Sequence, residues 1–142
     1  RVDAGTVGKS NAAHATATGK AILAWVPERE MLRVLAGKGM TRFTDNTITD
    51  VTSLIEELRH VRRNGFALDR EEFQPGVICV GAAVRDHTGG VVGSISISTP
   101  TPRADEAYLD TITGLLTQAT RALSEEFGSP VADGESWKET DA

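Results

Sequence analysis

The stretch from Gly65 to Pro100, GFALDREEFQPGVICVGAAVRDHTGGVVGSISISTP, restricts the fold of this chain more than any other. A turn is expected at Gln74-Pro75-Gly76. Beyond it two extended arms, Val77 to Val84 and Val91 to Thr99, flank His87-Thr88-Gly89-Gly90, which has hairpin-turn composition. The second arm alternates without exception. Ser94, Ser96 and Ser98 point to one face, and Gly93, Ile95, Ile97 and Thr99 to the other. An interior strand of this kind serves two environments: its aliphatic row seals a core, and its hydroxyl row lines a polar cavity. That cavity is where a binding function is expected.

The remaining segments supply helices. Arg1 to Ala12 is small and polar, an extended lead-in. Its Gly8-Lys9-Ser10 ends like a phosphate loop, but Asp3 stands where the first glycine belongs and no apolar strand precedes it, so nucleotide binding is not expected there. The alanine-rich run from His14 to Trp25 predicts a helix starting near Thr16 or Thr18, with threonine as N-cap. Its first amides, around Ala17 and Thr18, could hold an anion. The commoner arrangement is that threonine only caps the helix and the alanines only allow close packing, since N-caps outnumber anion sites. Pro27 suits the first position of a second helix, Glu28 to Leu35, closed by Gly37 or Gly39 and apolar along Met31, Leu32, Val34 and Leu35.

A third helix, Asp50 to Asn64, carries a one-face stripe of Val51, Leu54, Ile55, Leu58 and Val61 and ends at Gly65. Its Arg59, Arg62 and Arg63 read as a solvated face. Phe66 to Phe73 reads as an edge strand kept soluble by charge, on which only Asp69 and Glu71 share a face. Arg103-Ala104-Asp105-Glu106 opens a long helix whose Leu109, Ile112, Leu115, Leu116, Ala119, Leu123 and Phe127 form the expected buried stripe, closed by Gly128. Ser129 to Ala142 is polar and aperiodic. The expected organisation is one α+β domain over 1–128, followed by a disordered tail over 129–142.

Charge and chemistry narrow the function. A net charge of −5 favours neither nucleic acid nor an anionic membrane, and no apolar run reaches the roughly 18 residues of a membrane span. The single cysteine, Cys79, forms no internal disulfide, which fits a reducing cytoplasm, and its mid-strand setting makes it an inert small hydrophobe. Arg1-Val2-Asp3 lacks an initiator methionine, as in a piece of a longer protein. His14, Asp69 and Cys79 could contribute to a zinc site or a small enzyme's active site, but no spacing signature supports a metal, and no motif supports catalysis.

Seven blocks stand in register: His14-Ala15-Thr16-Ala17-x-Gly19-Lys20-Ala21, Thr44 to Ile48, Leu58-x-x-Val61-Arg62-x-x-Gly65, Asp69-x-Glu71-Glu72, Gly76-x-x-Cys79-Val80, Ala82 to Asp86, and Ser96-Ile97-Ser98-x-Pro100. Together they resemble the C-terminal effector-binding domain of IclR-type transcriptional regulators over about Gly8 to Gly128. The resemblance implies a GAF-like (profilin-like) domain, a curved antiparallel sheet flanked by helices with a small-molecule cavity on one face. It implies a cytoplasmic regulator that assembles as a dimer or tetramer and binds DNA only through an N-terminal winged helix-turn-helix outside this chain. It implies no cofactor and no catalysis. Its pocket positions fall on Ala17, Thr18, Asp69, Cys79, Ser96 and Ser98, with Val77 joining Cys79 as wall, and the implied effector is a small organic acid or aromatic metabolite. Two other classes are kept beside it: a small cytosolic enzyme using Asp69, Cys79 or His14, and a dimerisation module without ligand. Thr18, Arg70 and Thr99 depart from the family pattern, which bears on the effector's identity.

Overall fold

The computed structural model describes residues 12–130. In chain order these form α1 (Ala17–Leu23), α2 (Glu28–Lys38), α3 (Val51–Asn64), β1 (Ala67–Arg70), β2 (Val77–Arg85), β3 (Val91–Pro100), a 3-10 turn (Thr101–Arg103) and α4 (Glu106–Glu126). The three strands pair antiparallel in the order β1-β2-β3. The α+β architecture follows as the alternating and helical periodicities require.

Local chemistry sets the element ends. Thr16, Asp50 and Asp105 cap α1, α3 and α4 with side-chain oxygens that accept from Gly19, Ser53 and Tyr108 amides. Gly65 closes α3 in the left-handed region at φ 84°. Pro27 is the N-cap of α2 rather than its first residue, and the helix runs past Leu35 and Gly37 to Lys38 before Gly39 ends it.

Each sheet face meets a different partner. Ile78, Val80 and Ala82 point to α4 and pack with Leu109, Ile112 and Leu116. On the other face α1 lies directly over β2, where Gly81 makes the approach possible: a Cβ there would sit 2.8 Å from the Ala17 carbonyl carbon and oxygen. Those are backbone atoms and cannot rotate away. Gly81→Ala is therefore expected to push α1 off the sheet and cost about 1–3 kcal/mol in urea unfolding, an overpacking penalty. Behind α1 a second cluster joins Ala21, Leu23 and Ala24 to Met31 and Leu35 of α2 and Leu54, Leu58 and Val61 of α3.

Several expectations are corrected by tertiary packing. Arg62 is not solvated: it is buried, with its guanidinium 4.9 Å from the Trp25 ring centroid, and Arg85 stacks on the same ring at 3.6 Å. The first strand ends at Arg70, after which the chain turns through Glu71 at φ 57°. Asp69 and Glu72, not Asp69 and Glu71, are brought together, and both are buried rather than solubilising. Among the described residues β3 is an edge strand, not an interior one. The expected α4 stripe is only partly covered, because Leu109, Ile112 and Leu116 are buried while Leu115 is 61% and Phe127 51% exposed, with Ala119 and Leu123 also exposed. The lead-in with Gly8-Lys9-Ser10, and the tail from residue 131, lie outside the described residues.

Candidate functional site

Strand register assembles the site. Asp69 of β1 pairs with Cys79 of β2, and Cys79 with Ser98 of β3, so the three side chains form one row across the sheet. The next row on the same face is Ala67, Gly81 and Ser96, and Val77 extends the face beyond Cys79. The face is therefore hydroxyl-rich at β3, sulfur-bearing at its centre and acidic at β1. Ser96 and Ser98 are exposed, Val77 and Cys79 half-buried, and Asp69 only 4% exposed. The Cys79 Sγ and Ser98 Oγ lie 3.2 Å apart.

α1 places Ala17 over this face at Gly81, with Thr18 half-buried beside it. The Gly19 amide donates to Thr16 Oγ1 at 3.0 Å, which satisfies one of the first-turn donors. At seven residues the helix is too short to contribute much dipole. Any anion contact at Ala17 and Thr18 is thus a local amide contact. All seven residues expected from the sequence lie on this face or at its helical border.

Beneath the row sits a buried ionic network that sequence reasoning missed. Lys20, with 0% exposure, donates through Nζ to Glu57 Oε2 of α3 at 2.7 Å, to Glu72 Oε1 at 2.9 Å, and to the Leu68 carbonyl. Glu72 folds back so that Oε2 accepts from the Arg70 amide at 3.0 Å, and its own amide donates to Asp69 Oδ1 at 2.7 Å. The turn that aims Asp69 is thereby tied to α1 and α3 through one cation. The available signal was a lysine among alanines in a helix with no polar face to spare; Glu72 was hidden because a four-residue charged run reads as surface.

Burial pushes the Asp69 carboxyl up to about 6. The Glu72 amide that donates to it acts in the other direction, the Glu72 carboxylate raises it further, and Lys20 lowers it. Burial likewise raises the Cys79 thiol, against a smaller lowering by its Ser98 contact. A thiol held protonated is a poor nucleophile. His14 is fully buried, with Nε2 2.8 Å from the Thr41 carbonyl oxygen and its ring 5.9 Å from that of Phe43. Among the described residues no three His, Cys, Asp or Glu side chains converge as metal ligands. No described helix is long and apolar enough to cross a membrane. A surface groove lined by Pro27, Arg29, Glu30 and Arg33 lies on α2, away from this face.

Comparison with known proteins gives the class first. Residues 3–125 match the family described as the C-terminal region of the bacterial transcriptional regulator IclR. The chain is 40% identical over 124 residues to the HTH-type transcriptional regulator XynR of Escherichia coli K12, covering 87% of this chain and 49% of that protein. It superposes on the crystallised C-terminal domain of E. coli KdgR with TM-score 0.76 and 36% identity, covering 82% of this chain and 71% of that one. It also resembles the inducer-binding domain of Acinetobacter PobR, crystallised as a double mutant with 3-hydroxybenzoic acid, at TM-score 0.73 and 30% identity, covering 79% and 65%. These are regulatory domains of transcription factors, not enzymes.

The chain belongs to the IclR family and is the C-terminal domain of an IclR-type transcriptional regulator. It spans about half the length of XynR.

Proposed function

We propose that this domain senses a small organic acid or aromatic metabolite bound on the sheet face described above, and so controls DNA binding by an N-terminal winged helix-turn-helix region of the same regulator. The observation that carries this reading is the row Asp69–Cys79–Ser98, which sets an acceptor, a soft wall and a hydroxyl on one face beneath α1. Ser96 and Ser98 donate hydrogen bonds to the ligand, Val77 and Cys79 form its wall, and Ala17 and Thr18 border it with backbone amides. The inducer complex of PobR supports the ligand class. The regulator is cytoplasmic and works as a dimer or tetramer, in which the ligand favours one arrangement of the assembly by its differential affinity.

A thermal-shift screen against aliphatic keto acids and aromatic acids tests the reading. A ligand at 100 times its dissociation constant stabilises by about 2.7 kcal/mol, and Ser96→Ala is expected to reduce the shift. If none of these acids raised the melting temperature, the ligand class would be wrong. A second reading, an assembly module without ligand, is favoured by two features of the described residues: the exposed Leu115 of α4 and Phe127 at its C-cap, and the edge position of β3, which an assembly or a further strand would cover.

A further inference from the structure

We propose that a carboxylate effector enters the Asp69 site together with one proton, which the two carboxyl groups then share, so that Asp69 determines the charge state of ligand that the domain accepts. The inference rests on the reading that the effector occupies the Asp69–Cys79–Ser98 row.

The argument is one of charge. Asp69 is almost fully buried, and among the described residues the cation that acts on it is Lys20. From α1 the facing group is Lys20, but an ammonium has three N–H donors, and Glu57, Glu72 and the Leu68 carbonyl take them. From α3 the group behind Lys20 is Glu57, and from the turn it is Glu72, both negative. From β2 it is the Cys79 thiol, neutral while protonated, and β3 brings only the hydroxyls of Ser96 and Ser98. Arg70 points outward, half-exposed, toward Glu106 at 3.8 Å. Arg85 shares the strand with Cys79 but is six residues along it, about 20 Å away at the usual rise, and lies over Trp25.

Glu57 and Glu72 therefore already hold the Lys20 cation, and Asp69, the third carboxylate, lies within its field without pairing to it. A fourth, arriving on the ligand, meets Asp69 at the buried end of the row, where Asp69 is only 4% exposed and water screens little. Two carboxylates sharing such a site cannot both stay ionised, and one keeps a proton. The proton comes from solvent. No covalent bond forms or breaks: Asp69 becomes an O–H donor to the ligand carboxylate, where before it was an acceptor only. The raised titration of Asp69 in the unliganded domain agrees with this direction, since burial already strengthens its hold on a proton. A neutral ligand that donates a hydroxyl would behave oppositely, because it needs Asp69 ionised.

Isothermal titration calorimetry with 3-hydroxybenzoate and pyruvate as probes tests the proposal. For a probe that binds, the expected affinity weakens on the order of tenfold for each pH unit above about 6, and heats in buffers of different ionisation enthalpy report uptake of about one proton per ligand. Asp69→Asn should flatten the pH profile and abolish the uptake, whereas Ser96→Ala should weaken binding at every pH and keep the slope. Acids that bind with pH-indifferent affinity, or more tightly as pH rises, would overturn this inference and leave the sensor reading in place. If neither probe binds between about pH 5 and 8, while neutral hydroxylated compounds do, both the acid ligand class and the shared proton are wrong.

Discussion

Lys20→Met will lower the melting temperature of this domain by about 10 °C or more. The reason is the position of its charge, not the loss of one contact. Lys20 is fully buried and is the cation shared by Glu57 and Glu72. Removing one partner of a buried ion pair typically costs roughly 3–5 kcal/mol, because the remaining charge stays desolvated and unpaired. Glu57 keeps a 30% exposed side chain and can relax into water, so the cost belongs near 3 kcal/mol. Glu72, with a 10% exposed side chain, cannot. Lys20→Met combined with Glu72→Leu should therefore recover most of the loss, since replacing a buried pair by apolar groups is often neutral. Differential scanning calorimetry on the two variants decides the point. A single variant that melts with the wild type would show that Glu72 escapes to solvent and that the network does not hold the turn.

Asp69→Asn works in the opposite direction and depends on pH. The folded domain binds a proton at Asp69 more tightly than the unfolded chain does, because burial raises the carboxyl from its ordinary value of 3.8 to about 6. A group raised in this way contributes most to stability below its unfolded value, and the contribution is lost as pH rises through the folded value. At neutral pH and above, ionised Asp69 costs about 3 kcal/mol, at 1.36 kcal/mol per unit. Asparagine keeps the oxygen that accepts from the Glu72 amide and discards the charge. The variant should thus be more stable than wild type by about 2–3 kcal/mol near pH 8, with the advantage gone below about pH 4. Urea midpoints measured across that range would show it, and a constant difference at all pH values would mean that Asp69 does not titrate on folding. If the face binds ligand as proposed, a destabilising charge held there is the usual relation between function and stability.

The chain also separates what is legible in one dimension from what is not. Local and periodic signals come through. The Ser94-Ser96-Ser98 alternation defines a two-faced strand, Thr16 and Gly65 mark helix ends, and the Leu54-Leu58-Val61 stripe marks a core face. The IclR blocks add candidate site residues, and the register sets three of them, Asp69, Cys79 and Ser98, in line.

What failed to come through has a common cause: neither burial nor partner is a local property. Arg62 sits on the expected helix yet is buried, because Trp25 from another element lies against it. Leu115 and Phe127 belong to a sound amphipathic stripe yet stay exposed, because no described element covers them, and Phe127, on the same face as buried Leu109, stands at the far end of the helix. The charged run Asp69 to Glu72 looked like a solubilised edge. A left-handed Glu71 folds it inward, where a lysine 52 positions earlier reaches Glu72. By itself the sequence determined the elements, their faces and the family, since these depend on neighbours along the chain. Only the tertiary structure decided which charges share the interior, because a buried ion's state depends on groups that meet only after the chain has folded.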